Sequence, residues 1–136
     1  LAYVNRNELV VSVRGGQREE ALTPLEYARV VRESKININF CESPSGKDQI
    51  KGRVIEIIAS NSLLLEKKNA ITPEFLTPGD DYVEFTTKED MEEKIKHYLQ
   101  NDDEREKIAA SGYRKYLSSY SSEVYWDRVQ EFFNGQ

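Results

Sequence analysis

Ser45-Gly46-Lys47-Asp48-Gln49-Ile50-Lys51-Gly52-Arg53-Val54-Ile55-Glu56-Ile57-Ile58-Ala59-Ser60 lies between two apolar runs, Ile36-Asn37-Ile38-Asn39-Phe40 and Leu63-Leu64-Leu65. Within it Ile50, Val54, Ile57 and Ile58 stand at i, i+4, i+7 and i+8, which is one face of a helix. A strand, a glycine-containing loop, a helix and a second strand predict a parallel β-α-β unit. Lys47, Lys51 and Arg53 crowd the expected first turns, and Glu56 interrupts an otherwise apolar segment. A helix N-terminus carries free N–H groups and the positive end of the dipole, so a basic helix start after such a loop predicts an anion site.

Upstream, residues 8–14 hold Leu9, Val10, Val11 and Val13 and end at Gly15-Gly16, which reads as a buried strand and a turn. Thr23-Pro24-Leu25-Glu26 has the N-cap, N1 and N3 residues of a capping box. It predicts a helix through Tyr27, Val30 and Val31 to about Ser34. In the next strand Asn37 and Asn39 alternate with Ile36, Ile38 and Phe40. A central parallel strand is apolar on both faces, so the two asparagines predict a partly polar face or an edge.

Downstream, Asn61-Ser62 closes the central helix and Leu63-Leu64-Leu65 forms a strand. Glu66-Lys67-Lys68-Asn69 reads as a polar loop, Thr72-Pro73-Glu74-Phe75 as a short capped turn, and Tyr82-Val83-Glu84-Phe85 as a further strand after turn-forming Pro78-Gly79-Asp80-Asp81. Three helices complete the chain. Thr87 caps the first, which carries Met91, Ile95, Tyr98 and Leu99; Asn101-Asp102 caps the second, with Ala109, Tyr113, Tyr116, Leu117 and Tyr120; Ser121-Ser122 introduces the third, with Tyr125, Val129, Phe132 and Phe133. Gly112 in the second costs about 1 kcal/mol relative to alanine and marks a close packing point or a kink. The expected class is α/β, a Rossmann-like parallel sheet of about four strands with flanking helices.

A chain of 136 residues builds one domain, not two. Its net charge of −5 argues against general nucleic-acid binding, which uses a basic patch or stripe. Mean hydropathy is −0.69, and no apolar run nears the about 20 residues of a membrane span. Cys41 is the single cysteine, so neither an intrachain disulfide nor a cysteine-based zinc site is available. No secretory signal is visible, and the expected location is the cytoplasm. The chain opens on Leu1 rather than Met, which fits a piece of something longer.

Ligands of open α/β sheets bind outside the carboxyl ends of the strands. Three loops are expected there: Gly15-Gly16 onward, residues 41–49, and residues 66–71. The chemistry of the second suits a phosphate or diphosphate. Asp48 and Glu56, if both helical, stand about 12 Å apart along the axis, too far for an acid/base pair but suited to two anchors of one extended ligand.

Residues 51–65, from Lys51-Gly52-Arg53-Val54-Ile55-Glu56 to Leu63-Leu64-Leu65, resemble the donor-site helix and following strand of GT-B glycosyltransferases. The pattern is most similar to the spore-maturation-protein (CgeB-like) group. The likeness extends to Phe75-Leu76-Thr77-Pro78-Gly79-Asp80-Asp81-Tyr82-Val83 and on to Asp90, Lys94-Ile95, Tyr98-Leu99, Arg105, Ile108-Ala109 and Gly112-Tyr113. It covers about residues 25–133, by order and spacing of many weak elements.

The resemblance implies an incomplete C-terminal, nucleotide-sugar-binding domain of a two-domain enzyme. It implies that Glu56 binds the donor ribose. It places Asp48 near the donor sugar, with Asp where the family commonly has Glu. Lys47, Lys51 and Arg53 are candidates for the diphosphate by position. No cofactor or metal is expected beyond the nucleotide-sugar donor. The acceptor-binding half would come from a missing N-terminal domain or a partner chain, leaving the catalytic base unnamed and the isolated chain inactive.

The plainer readings stand beside these. Glu56 can be an exposed or ion-paired helix residue, Lys51 and Arg53 solvated cations, and Asp48 a helix cap. His97 falls on the polar side of its helix, and no G-x-G-x-x-G occurs. The alternative function is a non-catalytic α/β interaction module or subunit that docks through its aromatic C-terminal helices, with a homodimer as one compatible state.

Overall fold

The computed structural model describes residues 22–43 and 45–135. Helix α1 (Pro24–Glu33) leads to strand β1 (Ile36–Asn39), helix α2 (Gly52–Ala59) and strand β2 (Leu63–Lys67). A single 3-10 turn (Thr72–Glu74) precedes strand β3 (Val83–Phe85), and helices α3 (Lys88–Gln100), α4 (Asp102–Ser119) and α5 (Ser122–Asn134) follow. The strands are parallel in the order β1-β2-β3. This is the expected α/β sheet with flanking helices. The expected strand at residues 8–14 and the Gly15-Gly16 turn lie outside the described residues.

Leu63, Leu64 and Leu65 are fully buried because β2 is covered on both faces. Side chains alternate across a strand, so Leu63 and Leu65 join Val83, Phe85, Met91, Ile95 and Ile108 on one face. Leu64 joins Val54, Ile57, Ile58, Leu76 and Tyr82 on the other. Burying each such aliphatic side chain contributes about 1.5–3 kcal/mol relative to leaving it exposed. Val54, Ile57 and Ile58 form the buried stripe of α2, as their spacing predicts.

The local signals before α1 and α3 act as read. Thr23 and Glu26 form the reciprocal capping box of α1. Thr87 caps α3 by accepting from the Asp90 N–H. Asn61, just after α2, takes the left-handed conformation with φ 54°, a common helix stop. Ser121 caps α5 through the Val124 N–H. Asn101 differs: its side chain donates to the His97 carbonyl at the end of α3 instead of capping α4. The buried Arg105 donates to the Tyr98 carbonyl at 2.9 Å and ties α4 back to α3.

Gly112 is a close packing point. A β-carbon there would lie 2.6 Å from the Asp81 carbonyl oxygen and 3.2 Å from Ile58 Cγ2. Helix α4 thus rests directly on the loop before β3. No helix among the described residues is long and apolar enough to cross a membrane.

Two expectations need correction. Helix α2 begins at Gly52, so Lys47, Asp48 and Ile50 are not helical, and Lys51 is its N-cap. Three backbone hydrogen bonds close a turn ahead of the helix instead. Ser43 N–H donates to the Lys47 carbonyl, Gly46 N–H to the Ser43 carbonyl and Gln49 N–H to the Cys41 carbonyl. Gly46 has φ +74°, open to glycine at no steric cost. Ile50 accordingly leaves the helix stripe and is exposed. Second, Glu66 and Lys67 belong to β2 rather than to a polar loop, with Glu66 paired to Asn39 on one side and Glu84 on the other.

Candidate functional site

The C-terminal ends of β1 and β2 carry a polar cluster. Asn39 and Glu66 are both fully buried. The Asn39 amide donates to both Glu66 carboxylate oxygens, at 3.3 and 3.0 Å. The Cys41 thiol donates to Glu66 Oε1. Asn69 Nδ2 approaches the same oxygen at 3.5 Å while Asn69 Oδ1 accepts from the Ile71 and Thr72 N–H groups. One asparagine therefore ties the loop after β2 to the buried acid. Asn39 Oδ1 has no partner among the described residues.

Burial raises the Glu66 carboxyl above its ordinary range, opposed by the Cys41 and Asn39 hydrogen bonds and by the charges of Lys51 and Arg53. Burial, with Glu66 beside it, pushes the Cys41 thiol up to about 11. Cys41 is thus a neutral donor, not a nucleophile. The asparagines of β1 have a definite use: Asn37 holds the Val31 carbonyl and Ser62 Oγ, and Asn39 holds Glu66. The expected partly polar face is this row.

Above the cluster lies an open cleft of about 100 Å³, lined by Cys41, Glu42, Asp48, Lys67, Lys68 and Asn69. Both expected loops, residues 41–49 and 66–71, contribute to it. Asp48 is exposed, forms an antiparallel bridge with Glu42, and accepts from the Ala70 N–H at 3.4 Å. Lys67 pairs with the Glu42 carboxylate at 3.0 Å. Lys51 reaches the Glu42 carbonyl at 3.1 Å. Lys47 is exposed in the turn.

Glu56 does not line the cleft but meets Tyr27 of α1, and Arg53 acts electrostatically on both Tyr27 and Glu66. The Tyr27 hydroxyl donates to Glu56 Oε2 at 2.8 Å. Burial and Glu56 raise the Tyr27 phenol above its ordinary value, against the opposing influence of Arg53, so it remains a proton donor. A β-carbon on Gly52 would lie 3.8 Å from Glu56 Oε1, so that oxygen sits over the first turn of α2.

The five expected site residues therefore divide. Asp48 lines the cleft, Lys51 borders it through Glu42, Glu56 meets Tyr27 of α1, Arg53 acts on both Tyr27 and Glu66, and Lys47 is exposed in the turn. Glu66, Lys67, Lys68 and Tyr27 are additions. A run of leucines passing straight into Glu-Lys-Lys was the available sign that β2 carries charge to its end. Among the described residues no three His, Cys, Asp or Glu side chains converge as metal ligands would.

A family model described as glycosyl transferase-like matches residues 4–133. A comparison with curated proteins gave no match.

Proposed function

The chain belongs to the glycosyl transferase-like family, and on that premise we propose that its sheet edge is the nucleotide-sugar donor site of a GT-B glycosyltransferase. In this reading Glu56 accepts hydrogen bonds from the donor ribose, and Asp48 contacts the sugar or its loop. Lys47, Lys51 and Arg53, joined by Lys67 and Lys68, balance the diphosphate. The helix dipole and these cations supply the electrostatic stabilisation of a leaving diphosphate that a metal ion supplies elsewhere. The order of motifs brings the chain nearest the spore-maturation-protein group. The acceptor and the catalytic base belong to a second domain or chain.

The observation that carries the reading is the Glu56 carboxylate. One of its oxygens is held by Tyr27, and the other sits over the start of a helix that follows a parallel strand. A thermal-shift and calorimetric screen against UDP, GDP, ADP, CMP and their sugar conjugates tests it. The expected result is a specific stabilisation by one nucleotide class, lost in Glu56→Ala without loss of folding. Unchanged affinity in that variant would refute the assignment.

A second reading, a non-catalytic interaction module, is favoured by α5. Its Tyr125, Trp126, Phe132 and Phe133 are 60%, 59%, 64% and 70% exposed. That reading expects self-association in sedimentation and no nucleotide-dependent shift.

A further inference from the structure

We infer that Tyr27 is a positioning residue for Glu56, holding one carboxylate oxygen so that the other is presented to a vicinal diol. This rests on the donor-site reading above. The α1 capping box fixes the first turn of the helix that carries Tyr27. The Tyr27 ring is partly buried against the core cluster that includes Val31, Val54 and Ile58. That hydroxyl meets Glu56 Oε2 at 2.8 Å across 29 residues of sequence. Among the described residues no hydrogen bond reaches Oε1. Gly52, one turn earlier, adds no side chain over it.

An exposed glutamate on a helix has several rotamers, and ordering a side chain of this kind on binding costs about 0.5–1.5 kcal/mol. A partner that fixes the carboxylate beforehand removes that cost, provided it leaves an acceptor free. Tyr27 meets both conditions. A phenol is a single donor in this role, so it occupies one oxygen and leaves the second available.

The test measures the preference of the 136-residue chain for UDP, GDP or ADP over the corresponding 2′,3′-dideoxy nucleotide, by calorimetry. Wild type, Tyr27→Phe, Glu56→Gln and the double variant are compared. The expected result is a preference for the ribonucleotide that Tyr27→Phe lowers by about three- to tenfold, the scale of the side-chain ordering cost that a prefixed carboxylate avoids. Melting temperature should barely change, and Tyr27→Phe should have no further effect in the Glu56→Gln background. Collapse of the preference in Glu56→Gln with none in Tyr27→Phe would overturn the role of Tyr27 and leave the donor site standing. So would an equal effect of Tyr27→Phe in both backgrounds. If no nucleotide binds, or neither variant alters the preference, the donor-site reading fails and the role of Tyr27 fails with it.

Discussion

Asn39 on β1 and Glu66 on β2 lie opposite each other in register, and the amide of one donates to both carboxylate oxygens of the other with neither residue reached by solvent. A buried carboxylate is tolerated only when its oxygens are hydrogen-bonded. Asn39→Ala removes two of those contacts and opens a void. A loss of about 2–4 kcal/mol in chemical denaturation is expected. Glu66→Gln should cost less, since it removes the charge and keeps the shape.

The same carboxylate sets a pH dependence. Its folded pKa is raised above the ordinary 4.5, so in the window above 4.5 the native state binds more protons than the unfolded chain. Stability from this group is therefore greatest at low pH and falls as pH rises from 4.5 through the raised folded value. In Glu66→Gln that component should vanish. The check is the difference in unfolding free energy between variant and wild type, measured from pH 4 upward. A difference that does not move in favour of the variant as pH rises would contradict burial of the charge.

Gly112 has no room for a side chain against the Asp81 carbonyl. Alanine would raise helix propensity by about 1 kcal/mol, yet its methyl must displace backbone. Overpacking of this kind costs about 1–3 kcal/mol. Gly112→Ala should thus lower the melting temperature despite its better helix propensity.

The α1 cap offers a separable effect. Thr23 Oγ1 accepts from the Glu26 N–H, and Glu26 Oε2 accepts from the Thr23 N–H at 2.8 Å. Thr23→Ala should destabilise α1 by about 1 kcal/mol. Because Val31 is the one buried residue of α1, the loss should appear as faster amide exchange in α1 more than as global unfolding.

On α5 no residue is buried, and its aromatic side chains face outward. Replacing Phe132 and Phe133 by serine should leave the melting temperature nearly unchanged, since surface changes usually fall within about 0.5 kcal/mol. Any self-association in sedimentation should weaken.

Local chemistry made much of the architecture legible. The Thr23 to Glu26 box, the Thr87 cap and the stripe of Val54, Ile57 and Ile58 are contacts within one or two helical turns, so residue spacing alone carries them. Ile50 misled because it continues that stripe in spacing. The backbone bonds of Ser43, Gly46 and Gln49 close a turn first, a choice made by partners across the turn rather than by periodicity.

By itself the sequence determined the alternation of helices and parallel strands and the caps at Thr23, Thr87 and Ser121, because each depends on neighbours a few residues apart. Only the tertiary structure decided that Glu66 is a buried strand residue held by Asn39, that Tyr27 reaches Glu56, and that Asp48 lines the cleft while Glu56 does not. Those relationships join residues 27 to 29 positions apart, or depend on which way a loop turns. They follow from strand register and helix packing, which no local pattern encodes.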